Sequence, residues 1–290
     1  MKRTAVKSTM LPATVIAAGF VLALFLLVAS PSAADVTRII SLAPSVTEIL
    51  FALGVGDRVV GVSTYCDYPP EATRIDRVGT FLVPNVERIL AKKADLVIGV
   101  PSPGNRRAVE SLRELGARVL IVDPETVASI LETIRTVAAA VGVPAAGDDL
   151  NRQINGRITA ITGRLSGATP RSVLMVVDRN PLIAVGRRTL QDELITMARG
   201  INVAAKAGDQ WPHVGLEFVL AEAPEVIIDT SMVGDDASEA VRFWRNFPTI
   251  PAVQNKRIYG YRAFELLRPG PRVVESLATI ARFVHPERFE

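Results

Sequence analysis

Histidine and cysteine are scarce, with two of the first and one of the second in 290 residues. His213 and His285 are too few for a three-histidine zinc site. His285, beside Pro286 near the end of the chain, reads as a solvated surface residue. The lone Cys66 excludes an internal disulfide and reads as a small buried hydrophobe. The patterns G-x-S-x-G, G-x-G-x-x-G and G-x-x-x-x-G-K-S/T are all missing, which removes the nucleophile elbow, the dinucleotide turn and the phosphate loop. Excess charge is missing too. The formal +3 comes from Lys2, Arg3 and Lys7; without them the 33 basic residues become 30, against 30 acidic ones. No basic run with interleaved aromatics occurs, so nucleic acid is not an expected partner.

What is present begins with residues 1–34, which read as an export signal. Lys2, Arg3 and Lys7 precede an apolar run from Val15 to Val28, and Ser32-Ala33-Ala34 offers small residues for cleavage. The wider run from Met10 to Ala29 is long for a signal, which leaves an uncleaved anchor as the alternative. Beyond it, short apolar stretches such as Arg38–Leu42, Val59–Val62, Leu96–Val100 and Arg118–Val122 alternate with helical patterns, and the second half repeats the plan from Val173 onward. That alternation predicts an α/β fold with parallel sheets covered on both faces.

The stretch Ala145–Leu165 organises the rest. Leu150, Ile154, Ile158, Ile161 and Leu165 form one apolar stripe of a helix about 30 Å long, with Asp148 and Asp149 expected in its first turn. Similar text stands on both sides of it. Val86-Glu87-Arg88-Ile89-Leu90-Ala91 and Leu216-Glu217-Phe218-Val219-Leu220-Ala221 each lead into an apolar strand, and Glu48–Gly54 weakly echoes Glu193–Gly200. The reading is two related Rossmann-like lobes, residues 35–144 and 168–290, joined by one helix over 145–167.

Aromatics make up only 6% of the chain, so those in loops stand out. Tyr65, Tyr68, Phe81, Trp211 and Phe264 fall near strand ends, where open α/β sheets place ligands, and suggest a cleft for a large flat or apolar ligand. Glu87 and Glu217 open their helices, where the dipole favours a carboxylate. Their matched placement, one per lobe, also suits cationic residues on a two-fold partner.

The segments Arg38–Glu48, Gly61–Pro70, Asn85–Ile89 and Trp211–Val214 together resemble the periplasmic cobalamin-binding proteins of class III ABC importers, a likeness covering residues 38 to 285. The resemblance implies a non-enzymatic, monomeric substrate-binding protein with two lobes, a rigid joining helix and little hinge closure. It implies no cofactor and no metal, a corrinoid ligand, and an ABC permease dimer of the inner membrane as partner. It places Tyr65, Phe81 and Trp211 against the corrin, with Phe81 standing where tryptophan is usual. Phe264 and Arg268 fall in a ligand-contacting loop, Phe264 replacing an acidic residue. Glu87 and Glu217 match the carboxylates that dock onto permease arginines. Relatives that carry haem or ferric siderophores share the fold. A haem binder would draw an axial ligand from Tyr65 or His213, and a siderophore binder would need cations, for which Arg268 and Arg272 are the candidates. A periplasmic hydrolytic or metal-dependent enzyme is the alternative of another class.

Overall fold

The computed structural model describes residues 36–231, 238–261 and 266–290. The expected signal over 1–34 and Phe264 lie outside the described residues. The first lobe carries a four-stranded sheet of β1 (Ile39–Ser41), β2 (Val59–Val62), β3 (Leu96–Gly99) and β4 (Val119–Ile121). The strands are all parallel, in the order β2-β1-β3-β4. Its helices are α1 (Pro44–Ala52), α2 (Val86–Ala91), α3 (Arg106–Glu114) and α4 (Val127–Ala140). Local chemistry sets several helix starts. Asn85 accepts a hydrogen bond from the Arg88 N–H ahead of α2, and Thr126 and Ser129 close a reciprocal capping box ahead of α4.

The joining helix, α5 (Pro144–Arg164), has proline at its first position and 21 residues, a length of about 31 Å. Leu150, Ile154, Ile158, Ile161 and Leu165 all pack on the core, as the stripe predicts. Asp148 and Asp149 are the fifth and sixth residues of the helix, which begins at Pro144, and so fall in its second turn rather than the first. Gly147 is needed where it stands: a Cβ there would meet the Ala138 Cβ of α4 at 2.6 Å. Helix α5 therefore lays the Gly147 backbone directly against the Ala138 methyl of α4.

The second lobe contains β5 (Arg171–Arg179), β6 (Leu182–Ala184), α6 (Leu190–Met197), β7 (Gly200–Asn202), α7 (Leu216–Glu222), β8 (Val226–Asp229), α8 (Ser238–Trp244), α9 (Pro251–Gln254), β9 (Ile258–Gly260) and α10 (Val273–Val284). This sheet is mixed. The long β5 pairs parallel with β8 along one side, and on the other with β7 near its start and antiparallel β6 near its end. β9 continues the sheet beside β8. Apart from β6, the plan repeats: β1, β2, β3 and β4 correspond in sheet position to β5, β7, β8 and β9. The paired texts of the sequence fall on corresponding elements, α2 with α7 and α1 with α6.

Burial divides along each strand with period two. Ile39, Leu96, Ile98, Val173, Met175, Val226 and Ile228 enter one core that runs unbroken through both lobes and includes the stripe of α5. Ile40 and Val97 face a second core outside the first sheet. Leu174, Val176 and Ile227 face a third outside the other, around Trp244. The lobes thus share their largest apolar cluster, which resists relative motion.

His285 corrects the surface reading. It is 1% exposed, with Nδ1 3.3 Å from Glu287 Oε1 and Nε2 3.4 Å from the Arg199 carbonyl. It closes α10, and the turn that follows is tied to β5 by Arg171, which pairs with Glu287. Cys66 is buried as expected, in a polar nest where the Thr47 hydroxyl donates to Sγ at 3.0 Å and the Ser63 hydroxyl lies 3.2 Å away.

Candidate functional site

The strands of both sheets end toward one cleft of about 590 Å³. From the first lobe it receives Ala43–Ser45 after β1, Tyr65 after β2, Val100 and Pro101 after β3, and Asp123–Glu125 after β4. From the second come Arg188–Gln191 at the start of α6, Gln210 and Trp211 after β7, and Leu267–Pro269 after β9. Its volume is that of a site for a sizeable organic ligand.

Of the side chains singled out in the sequence, Tyr65, Phe81, Trp211 and Arg268 line this cleft. Tyr65 and Phe81 meet edge to face with centroids 6.1 Å apart. Tyr65 and Trp211 remain 47% and 44% exposed and Phe81 is half-buried, so aromatic faces from both lobes enter the lining, a pair from one and an indole from the other. Such faces stack on flat ligands and contribute about 1 kcal/mol each beyond their buried area. His213 is not brought to them. It is exposed and forms an isolated bridge with Ile183 of β6, at the sheet edge. The next residues lead it away into α7, so the chain's other histidine does not reach the cleft either.

Two arginines beside the cleft, Arg268 and Arg272, are matched by carboxylates, while Asp123 and Glu125 of the lining are exposed. Arg268 Nη1 lies 3.1 Å from Glu48 Oε1 and 2.7 Å from Asp67 Oδ1, and Arg272 holds Glu48 with Nε at 3.0 Å and Nη2 at 2.7 Å. Glu48 is 3% exposed. Arg272 also lies over the Tyr68 ring at 3.9 Å. Burial works to raise the Asp67 carboxyl, but Arg268 outweighs it and holds it below the ordinary value. Burial works to lower the Arg268 guanidinium, and Asp67 and Glu48 outweigh that in turn. The two arginines that would have served an anionic chelate are therefore already neutralised by carboxylates. At the other end of the cleft Arg188 shares Asp209 with Arg187.

These contacts also tie the lobes together. Glu48 of α1 reaches the start of α10, and Glu193 of the corresponding α6 accepts the Val127 backbone N–H at 2.9 Å, at the start of α4. Each lobe's first helix sends a glutamate to the other lobe's last helix, just below the cleft floor. Glu48 and Glu193 open the two halves of the sequence echo, which by itself does not assign them this task. The available signal was a carboxylate set among Val46, Ile49 and Leu50 on the buried side of α1, which calls for a cation opposite.

Two other buried side chains were missed. Gln191 donates to the Leu266 carbonyl at 3.1 Å, and Asn105 to the carbonyls of Phe81 and Val100. Short-range sequence patterns carry no trace of either. Glu87 and Glu217 are exposed, each in the first turn of its helix, α2 or α7, which precede the corresponding strands β3 and β8. Neither makes an ion pair among the described residues. Those residues also include no cluster of histidine, cysteine or carboxylate groups able to hold a metal ion.

Comparison with known proteins agrees with this architecture. Residues 39–263 match the family described as periplasmic binding protein. A vitamin B12-binding protein of Salmonella typhimurium is 35% identical over 216 residues, covering 74% of this chain and 80% of the relative. The crystal structure of the periplasmic vitamin B12-binding protein BtuF of Vibrio cholerae superposes with a TM-score of 0.76 at 28% identity, over 88% of this chain and 98% of that one. The periplasmic haem-binding protein RhuT of Roseiflexus sp. RS-1 gives 0.76 at 29% identity, over 87% and 98%. With its two linked lobes around one cleft, the chain belongs to the periplasmic binding protein family, in its class III form, a family of substrate-binding proteins of ABC transporters and not of enzymes.

Proposed function

We propose that this chain is exported to the periplasm, where as a monomer it captures a cobalamin-type corrinoid and delivers it to an ABC permease dimer in the inner membrane. The observation that carries the ligand choice is the pairing of aromatic walls from both lobes with arginines already matched by Glu48 and Asp67. A large ligand, neutral overall and rich in amides, suits such a cleft, because stacking supplies affinity and no buried charge is left to satisfy. A ferric siderophore, an anionic chelate, would meet cations already occupied. The names of the B12-binding relatives support the same choice.

Haem is the second reading, favoured by the likeness to a haem-binding structure and by Tyr65, whose exposed phenol is, among the described lining residues, the one side chain of a type that can ligate haem iron. Glu87 and Glu217, exposed and equivalent in the two lobes, are assigned to docking on permease arginines. No helix among the described residues is long and apolar enough to cross a membrane. Residues 1–34 are assigned to export.

The test is incubation of the purified protein with cyanocobalamin, haemin or a ferric siderophore, followed by desalting and visible spectroscopy. Retention of the corrinoid spectrum at one equivalent is expected. Retention of haemin or the siderophore with loss of cyanocobalamin would overturn the assignment.

A further inference from the structure

Asn105 stands immediately before α3, where an asparagine side chain ordinarily accepts a hydrogen bond from the first turn of the helix. Here it makes no such bond. The side chain is 3% exposed, and its Nδ2 donates to the Phe81 carbonyl at 3.0 Å and to the Val100 carbonyl at 2.9 Å. Both acceptors belong to residues that line the cleft. One buried amide therefore joins two separate parts of the cleft wall.

The turn that carries Phe81 needs such an anchor. It is closed locally by Thr80 N to the Val83 carbonyl at 3.2 Å and Val83 N to the Thr80 hydroxyl at 2.9 Å. Leu82 and Val83 are exposed and contribute nothing to a core. The turn lies tight against the segment before α3, where a Cβ on Gly104 would come within 2.9 Å of the Leu82 carbonyl. Thr64 N and its hydroxyl bind the Gly79 carbonyl at 2.9 and 3.1 Å, which links the Tyr65 loop to the same turn. A surface turn without buried side chains is held mainly by hydrogen bonds, and its tip is as well placed as those bonds make it.

We propose that Asn105 is a positioning residue for the ligand: by holding the Phe81 and Val100 carbonyls it sets the Phe81 ring, and through it Tyr65, against the bound molecule. The proposal rests on reading the cleft as the ligand site. Its own content is that Asn105 acts through Phe81 and touches no ligand.

A double-mutant cycle reads that directly. Affinity for cyanocobalamin is measured by calorimetry for the full chain and for the Asn105→Asp, Phe81→Ala and doubly substituted proteins. Asn105→Asp keeps the shape and can cap α3 but cannot donate to the two carbonyls. Asn105→Ala is the second variant, and circular dichroism confirms folding of each. Asn105→Asp should weaken binding roughly fivefold, the scale of one aromatic contact, and have little further effect once Phe81 is alanine. Equal losses with and without the Phe81 ring would overturn the proposal, as would no loss at all. If the parent protein fails to bind cyanocobalamin, the corrinoid reading fails by itself, and the same cycle run with haemin still decides the role of Asn105. Binding of neither probe would end both.

Discussion

Replacing Glu48 with glutamine is the sharpest test of how the lobes are held. The carboxylate is almost completely buried and receives three hydrogen bonds from Arg268 and Arg272, between 2.7 and 3.1 Å. Glutamine keeps the volume but removes the charge and points an amide N–H₂ at a guanidinium. Breaking a buried ion pair from one side costs about 3–5 kcal/mol. The lower figure applies, since the Arg272 side chain keeps 25% of its surface in water. At about 2–4 °C per kcal/mol for a chain of this size, the unfolding midpoint should fall by roughly 10 °C. Asp67→Asn is the control, because the Asp67 side chain is 60% exposed and its pair with Arg268 should be worth under about 1 kcal/mol. Scanning calorimetry at neutral pH reads both. A fall of less than about 3 °C for Glu48→Gln, or equal falls for the two variants, would refute the reasoning from burial.

Acid should weaken the fold at Glu287. Burial works to raise its carboxyl, but hydrogen bonds from its own backbone, Arg171 and His285 outweigh that and bring it down to about 2. Its contribution is complete above the ordinary value of 4.5 and is lost as pH falls toward 2, so the urea midpoint should drop less between pH 5 and 2.5 in Glu287→Gln than in the parent. Identical acid profiles would exclude Glu287 as a contributor. Trp211→Ala should lower ligand affinity several-fold, about 1 kcal/mol beyond the lost area; unchanged calorimetric affinity would remove the indole from the site. Glu87→Ala combined with Glu217→Ala should leave ligand affinity intact and impair uptake in cells carrying the transporter, whereas normal uptake would exclude the docking role.

Much of the architecture was legible in the sequence because local periodicity and tertiary need agree there. The stripe from Leu150 to Leu165 is buried as its spacing requires, and the matched texts around Glu87 and Glu217 fall on corresponding helices. The mixed second sheet was not legible. β7 offers a single apolar side chain, Ile201, between Gly200 and Asn202, and the antiparallel pairing of β6 leaves no local signal. His285 was misread because proximity to the end of the chain says nothing about the Arg199 carbonyl and the Glu287 carboxylate that lie beside its ring. At the cleft, aromatic residues announced themselves by being rare. The groups that hold the cleft in shape did not, since Glu48 meets partners 220 and 224 positions away and Asn105 meets Phe81 across 24. Only the fold brings these together.

The exchange of glutamates beneath the cleft bears on how such chains can be recombined. Each half is completed by an atom the other half supplies, so halves drawn from two different proteins are not spare parts for one another. A graft that carries Glu48 must bring Arg272 with it. A graft that carries Glu193 must bring a helix beginning where Val127 begins here, or the seam between donor and recipient will be left with a carboxylate that answers to nothing.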